Sequence, residues 1–442
     1  MKFLTVLATL SSLSLALRPN VSGSGLEFRD VNAKLRAPPS PITLPEGPTF
    51  QSVVNPLLTN VDQGQITMWM TRLTQFPERH YKSQNGVAAA NWIMSTVQGL
   101  PVPSGAKLTV YLYKHANFIQ PSVIARFEPA TPNGSRGIVI TGSHFDTAAY
   151  GSPQGPGGPN PAADDCASGS VAVYEALRVL TTSGFIPGRP IEFHWYAGEE
   201  FGLLGSHDIA NSYAAKGIEV VSYLNLDQSG YIKPGTKEQI GIYVDYTTPA
   251  ATTLLSATVA AYAGLPQIGG QKCGYECTDN AAWFDAGYNS AMAFESTDAD
   301  GFTGADKVNS DGTFLDTLAV VSVPHVAAFA KSTIGFIVEL SLAGSTRPAS
   351  TTITTTTIVK QSTNKAVSST ATTTTKPANS TSKPTSSTTT TTTKKVTTTA
   401  GSSGGPVVGQ PCTGVSQCLN GITYFCQQTN PPTWAVWYTG GC

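Results

Sequence analysis

Four short clusters of His, Asp and Glu stand out, because Asp and Glu together number only 28 of the 442 residues. The first is Ser143-His144-Phe145-Asp146. His144 and Asp146 are two apart, so they share a side of an extended segment. An imidazole with a carboxylate beside it suits a zinc ligand whose tautomer the carboxylate holds; the same pair also suits a solvated loop. The second is Asp164-Asp165, entering an apolar run, where the acids could be metal ligands or could stabilise a helix start. The third is Glu199-Glu200, closing another apolar stretch. Adjacent glutamates there are costly to bury unless a cation neutralises them. The fourth is Asp227, which ends Leu224-Asn225-Leu226 and on its own reads as a loop acid.

The elements around these clusters give them meaning. Residues Lys107–Lys114, Ser122–Phe127, Gly137–Thr141, Pro190–Tyr196, Val220–Leu226, Gln239–Tyr246 and Ala291–Phe294 read as strands. Helical spacing covers Ala88–Val97, Ala167–Thr182, Leu203–Lys216, Pro249–Ala263 and Leu315–Leu340. The alternation predicts an α/β fold, a mixed and mostly parallel sheet with helices on both faces. His144, Glu199-Glu200 and Asp227 each come directly after a predicted strand, and Asp165 precedes a helix. Sites in such folds form at the carboxyl ends of the sheet. Oxygen ligands with an imidazole suit a pair of zinc ions, which together activate water and clamp a tetrahedral intermediate. Phosphate-ester chemistry fits less well, because no basic residues flank the clusters to hold phosphate.

Taken in order, GSHFDT at 142–147, ADDCASG at 163–169, AGEEFGL at 197–203, LNLDQ at 224–228 and CGYECTD at 273–279 resemble the zinc aminopeptidases of peptidase family M28, nearest to their secreted leucyl aminopeptidases. The resemblance spans about residues 60–343. It implies an aminopeptidase fold, peptide substrates and two Zn2+ ions. Asp165 would bridge the two ions, with His144 and Asp227 completing one site and Glu200 serving the other. Asp146 would orient His144, Glu199 would act as general base on the attacking water, and Tyr275 would donate to the oxyanion. Cys273 and Cys277 would form the family's disulfide, and the Asp165-Cys166 peptide would be cis.

One position departs from that pattern. The family's last ligand is a histidine, and Asn309 stands in its place, within Asp306-Lys307-Val308-Asn309-Ser310-Asp311-Gly312. A neutral amide is a poor zinc ligand, so the Glu200 site is expected to be weak. The alternative to an active enzyme is a catalytically weak or silent M28-like peptide-binding protein. His325 lies inside a helical pattern and is no evident substitute. Cys166 reads as a buried inert thiol, with a metal-ligand or redox role as the alternative.

Flanking segments set the context. Met1–Ala16 has the charged start, apolar run and small residues of a secretory signal peptide, so the chain is expected to be secreted and extracellular. Sequons at Asn20, Asn133 and Asn379 could then carry glycans. Residues 17–55 are Pro-punctuated and read as a removable pro-region; 56–344 form the peptidase-like domain; 345–405 form a linker. Between Thr351 and Ala400 the chain has 23 Thr, 7 Ser and no acid, a composition that predicts a disordered, O-glycosylated stalk. Residues 406–442 hold Cys412, Cys418, Cys426 and Cys442, enough for two disulfides in any of three pairings. This module loosely resembles small fungal carbohydrate-binding modules. Trp434, Trp437 and Tyr438 could stack on a polysaccharide, or they could form a miniature core. A net charge of −1 argues against a nucleic-acid partner. No run of 18 apolar residues predicts a membrane span, and the protein reads as a monomer.

Overall fold

In the computed structural model, the described residues are 43–132, 134, 137–149, 152, 154–295, 297 and 316–343, with 417–419, 422–427 and 433–437 near the C-terminus. The signal segment, most of the 17–55 segment, the stalk, Asn309 and its neighbours, Cys412, Tyr438 and Cys442 lie outside them. The chain divides into two units, one up to Lys360 and one from Gln361.

Eight strands form the sheet of the first unit: β1 (Ala106–Tyr113), β2 (Ser122–Pro129), β3 (Ile138–His144), β4 (Ile191–Tyr196), β5 (Val220–Leu226), β6 (Ile240–Tyr243), β7 (Gln267–Gln271) and β8 (Ser290–Phe294). Their order is β1-β2-β4-β3-β5-β8-β6-β7. The central neighbours β4, β3, β5 and β8 run parallel, as do β6 and β7. The pairs β1/β2, β2/β4 and β6/β8 are antiparallel. This is the mixed, mostly parallel α/β sheet that the sequence predicts. Its central strands are buried along their whole length because both faces are covered, and successive side chains divide between the two faces. Val139, Phe193 and Trp195 enter the larger core, whereas Ile138, Ile140 and Tyr196 enter the smaller one.

The larger core lies under α1 (Gln51–Leu58), α2 (Gln63–Leu73), α3 (Gln84–Gln98), α4 (Gly169–Thr182), α6 (Pro249–Tyr262) and α8 (Val323–Leu342). The smaller one is closed by α5 (Leu204–Ala215) and α7 (Asn280–Asp285). Beneath α5 and α7 the sheet carries a satisfied polar chain. Trp283 donates to Tyr196 Oη at 2.9 Å, Tyr196 Oη meets His194 Nδ1 at 3.0 Å, and His194 Nε2 meets Glu192 at 3.0 Å. Tyr213 and Arg126 also donate to Glu192.

Three expectations about the elements need correction. The apolar run expected as one helix from Leu315 begins instead at Val323. Pro324 lacks an N–H and is tolerated only in a first turn, so residues 318–320 form a separate short turn. That helix is long and apolar enough to cross a membrane, yet 94% of the stretch is buried inside the domain. Second, α2 has no counterpart among the predicted elements, although Ile66, Trp69, Met70 and Leu73 are buried at helical spacing behind an Asp62 cap. Third, neither α7 nor β7 is among them. The first is only six residues long, and the second is mostly Gly and Gln. Helix α1 spans residues on both sides of Asn55, and its Val53, Val54 and Leu57 are core residues.

Glu339, buried in α8, explains that attachment. Its carboxylate accepts from the backbone N–H of Thr49 at 2.7 Å and of Phe50 at 3.0 Å, and from Tyr262 Oη at 2.5 Å. The residues before α1 therefore satisfy a charge that would otherwise be buried with few partners. In the second unit, β9 (Gln417–Leu419), β10 (Ile422–Gln427) and β11 (Thr433–Trp437) form an antiparallel sheet in the order β11-β10-β9. Trp434 and Trp437 lie in β11, and Cys418 and Cys426 in β9 and β10.

A chain beginning at Pro56 loses Val53 and Val54 from the core, roughly 1.5–3 kcal/mol each, together with the Glu339 partners. In urea unfolding it should be markedly less stable than a chain beginning at Thr43. Equal midpoints would show that α1 contributes nothing to the domain.

Candidate metal centre

Parallel pairing places the carboxyl ends of β3, β4 and β5 side by side: His144 pairs with Tyr196, and Gly142 with Asn225. The residues just beyond each strand therefore meet at one edge of the sheet. His144 is the last residue of β3, Asp227 comes directly after β5, and Glu199 lies three residues past β4 in a tight turn flanked by Gly198 and Gly202. Both glycines have positive φ, 71° and 101°, which other residues adopt at a cost. Asp165 comes from the kinked segment Ala163–Ser168 ahead of α4, where the Asp165-Cys166 peptide is cis, as expected. Helix α4 can come this close because it starts with a glycine. A Cβ on Gly169 would lie 2.4 Å from the Leu226 carbonyl oxygen and 2.6 Å from Ser143 Oγ.

The side chains converge on one imidazole. His144 Nε2 lies 3.0 Å from Asp165 Oδ1, 3.4 Å from Asp227 Oδ1 and 3.9 Å from Glu199 Oε2. On the far side of the ring, Nδ1 faces Asp146 Oδ1 at 3.5 Å, a charge contact longer than a good hydrogen bond. Asp146 also accepts from the Glu199 N–H at 3.0 Å, so it touches both residues. Gln228 Nε2 donates to Asp165 Oδ2 at 2.6 Å. Cys166 is a free, buried thiol, with Sγ 3.1 Å from Ser143 Oγ and 3.7 Å from the Leu226 oxygen.

Charge is crowded here. Burial pushes the Glu199 carboxyl well above its ordinary range; Asp227, Asp279 and Asp146 add to that, and His144 opposes it. Burial would lower the His144 pKa, but the charges of Glu199 and Asp227 outweigh it and raise it well above the usual value. Asp227 is the reverse case: burial would raise it, and His144 holds it below the usual carboxylate range. The imidazole thus serves as the local counter-charge for several acids, a task that a divalent ion performs better. The donor set fits zinc. Atoms of His144, Asp165, Cys166 and Asp227 all lie within 4.8 Å of one another. Zinc ligands at roughly 2.0–2.2 Å stand about 3.3 Å apart around a tetrahedron, close to the separations from His144 Nε2 to the two aspartates.

Other candidates are placed differently. Glu200 is outside this group, with Oε1 accepting from the Ala148 N–H at 3.2 Å. Tyr275 is 47% exposed, in the loop closed by the Cys273–Cys277 disulfide. His325 pairs with Glu238 at 3.1 Å and is absent from the group. Asn309 lies outside the described residues. Three residues that hold the centre are not singled out by the sequence pattern. Gln228 is visible within the LNLDQ motif. Asp316 accepts from the N–H groups of Asp164 and Asp165 at 2.7 and 2.9 Å. Arg79, fully buried, donates to the carbonyls of Leu73, Phe145, Pro161 and Ala162. Neither Asp316 nor Arg79 has a local sequence signal.

Comparison with known proteins agrees with this geometry. Residues 122–323 match the model for peptidase family M28. Leucine aminopeptidase 1 of Grosmannia clavigera is 34% identical over 310 residues, covering 68% of this chain and 72% of the relative. Leucine aminopeptidase 1 of Arthroderma otae is 36% identical over 312 residues, covering 68% and 80%. Among solved structures, the LapA aminopeptidase of Legionella pneumophila aligns with a TM-score of 0.58 at 26% identity, covering 66% of this chain and 75% of that one.

The Gln228 contact can be tested directly. Replacing Gln228 with Leu removes a hydrogen bond to a residue positioned to bind metal, and such losses weaken metal affinity roughly 10–100-fold. Competition against a chelator should show that drop with an unchanged circular dichroism spectrum. Unaltered affinity would mean that Asp165 needs no such support.

Proposed function

The chain belongs to peptidase family M28, and on that footing we propose that it is a secreted zinc aminopeptidase acting on peptides with an apolar residue at a free amino terminus. The observation that carries the reading is the meeting of His144 Nε2 with Asp165 and Asp227, with Glu199 3.9 Å from the same nitrogen. His144, Asp165 and Asp227 would hold one zinc ion. Asp165 and Glu200 would share a second, weaker one. An ion held there would supply a Lewis acid for the scissile carbonyl and lower the pKa of a water molecule toward neutrality.

The chain's own residues do the rest. Glu199 takes a proton from the attacking water and passes it to the departing amine. Asp146 fixes Glu199 through the backbone N–H and faces His144, so one carboxylate aligns both. Tyr275 donates its hydroxyl to the carbonyl oxygen as charge develops there. The surplus of acids favours the ammonium of a free amino terminus, in accord with removal of terminal residues. The stalk and tail would attach this unit to polysaccharide through Trp434, Trp437 and Tyr438.

Glu199→Gln should keep its zinc and its fold and lose roughly 10²–10⁴-fold in hydrolysis of a leucyl anilide. A variant with undiminished turnover would remove Glu199 from the mechanism. If the unaltered protein fails to cleave such substrates while binding peptides, the silent reading replaces the catalytic one.

Asn309 gives a second test. Asn309→His should raise zinc content toward two per chain and increase leucyl-anilide turnover, since an imidazole replaces a neutral amide. Two tight ions already present, with no gain in the variant, would show that another residue supplies that ligand.

A further inference from the structure

A second set of mixed donors shares no residue with the centre at the end of β3. His207 lies in the first turn of α5, Glu276 inside the loop closed by Cys273 and Cys277, and Asp285 at the end of α7. One potential ligand atom from each lies within 4.8 Å of the other two, and none of the three residues is fully buried. We propose that this trio is a second, independent site for a divalent cation of the zinc, nickel or copper class, and that an ion bound there ties the loop carrying Tyr275 to α5 and α7.

The donor types select that class. Imidazole binds borderline transition ions and adds little for calcium or magnesium, whereas two carboxylates supply the charge that a divalent ion neutralises. The carboxylates are held close enough to disfavour each other: burial, and then the charge of Glu276, push Asp285 up to about 6. Among the described residues, no lysine or arginine forms an ion pair with either acid. Three protein ligands leave coordination positions for water, so binding should be weaker than at a closed structural site. The three ligands come from two helices and a disulfide loop. An ion joining them therefore restrains the loop from outside the disulfide. The site shares no residue with the His144 centre and does not depend on the catalytic reading.

The test uses the full chain freed of metal and then dialysed against increasing zinc, with ions per chain measured by plasma emission. Wild type is compared with His207→Ala, Asp285→Asn and His144→Ala. The expected result is one zinc beyond those of the His144 centre. This ion should bind at least tenfold more weakly in His207→Ala and Asp285→Asn and unchanged in His144→Ala. Hydrogen exchange within 273–277 should slow on adding zinc to wild type and not to His207→Ala. Identical zinc isotherms for wild type, His207→Ala and Asp285→Asn would overturn the proposal. So would an extra ion that disappears with His144→Ala. Failure of the catalytic reading would appear separately, as absent leucyl-anilide hydrolysis with the extra ion still bound.

Discussion

Most of the architecture around the candidate centre depends on one constraint: several carboxylates are held around a single buried imidazole. Asp146, Asp165, Glu199 and Asp227 all lie within 4 Å of His144 ring nitrogens. Carboxylates out of water and close together repel unless positive charge or N–H donors compensate. The protein itself provides the His144 ring, the side-chain amide of Gln228 and the backbone N–H of Glu199. That leaves a place whose electrostatics favour a cation, and the identity of the atoms selects which cations suit it.

Holding such a centre requires a stiff backbone, and the approach to Asp165 shows how that stiffness arises. Ala162 has φ 42°, a left-handed conformation that costs a non-glycine residue about 1–3 kcal/mol. Arg79 secures it, with Nη2 donating to the Ala162 oxygen at 2.9 Å and Nη1 to the Pro161 oxygen at 2.7 Å. The same guanidinium donates from Nε to the Phe145 oxygen at 2.6 Å, between His144 and Asp146. One side chain thus fixes the segments that carry His144 and Asp165 relative to each other. From the other side, Asp316 receives the N–H groups of Asp164 and Asp165. Burial lowers the Arg79 pKa to about 10, with Asp316 and Asp146 opposing, so the clamp stays charged at neutral pH.

The legible part of the sequence divides from the rest along physical lines. Strands buried on both faces are mostly apolar runs, so the expected bounds of β5 match those observed, and those of β3 and β4 differ by a few residues at most. The acids beyond them are readable for the same reason: an acid at the end of such a run has no obvious business there. Arg79 is not readable, because three of its four partners lie 66, 82 and 83 positions away and all are backbone atoms with no residue preference. The adjacent pair Glu199-Glu200 shows the opposite limit. In sequence the two look equivalent, yet the tight turn from Glu199 to Phe201 sends Glu199 toward His144 and Glu200 toward the Ala148 N–H. Helix α1 is hidden by Pro56 and by its amide-rich sequence. Its anchor is Glu339, nearly 300 residues downstream.

The second ring of acids behaves differently from the first. Burial lifts Asp164 well above the usual range, Glu295 to about 8 and Asp316 to about 7, with neighbouring carboxylates adding to each. Shifted in this direction, these groups add less charge than their number suggests. Their work is geometric. Glu295 accepts from the N–H groups of Gly230 and Tyr231, Asp164 from Gly230, and Asp316 from the chain at Asp164 and Asp165. Each thus pins loop backbone next to Asp165 or Asp227 without competing strongly for a cation. Had the same positions been fully charged, their repulsion would have opposed the close placement of Asp165 and Asp227 that the centre requires. Burial draws the outer acids toward neutrality, while the His144 imidazole keeps Asp227 charged at the middle of them.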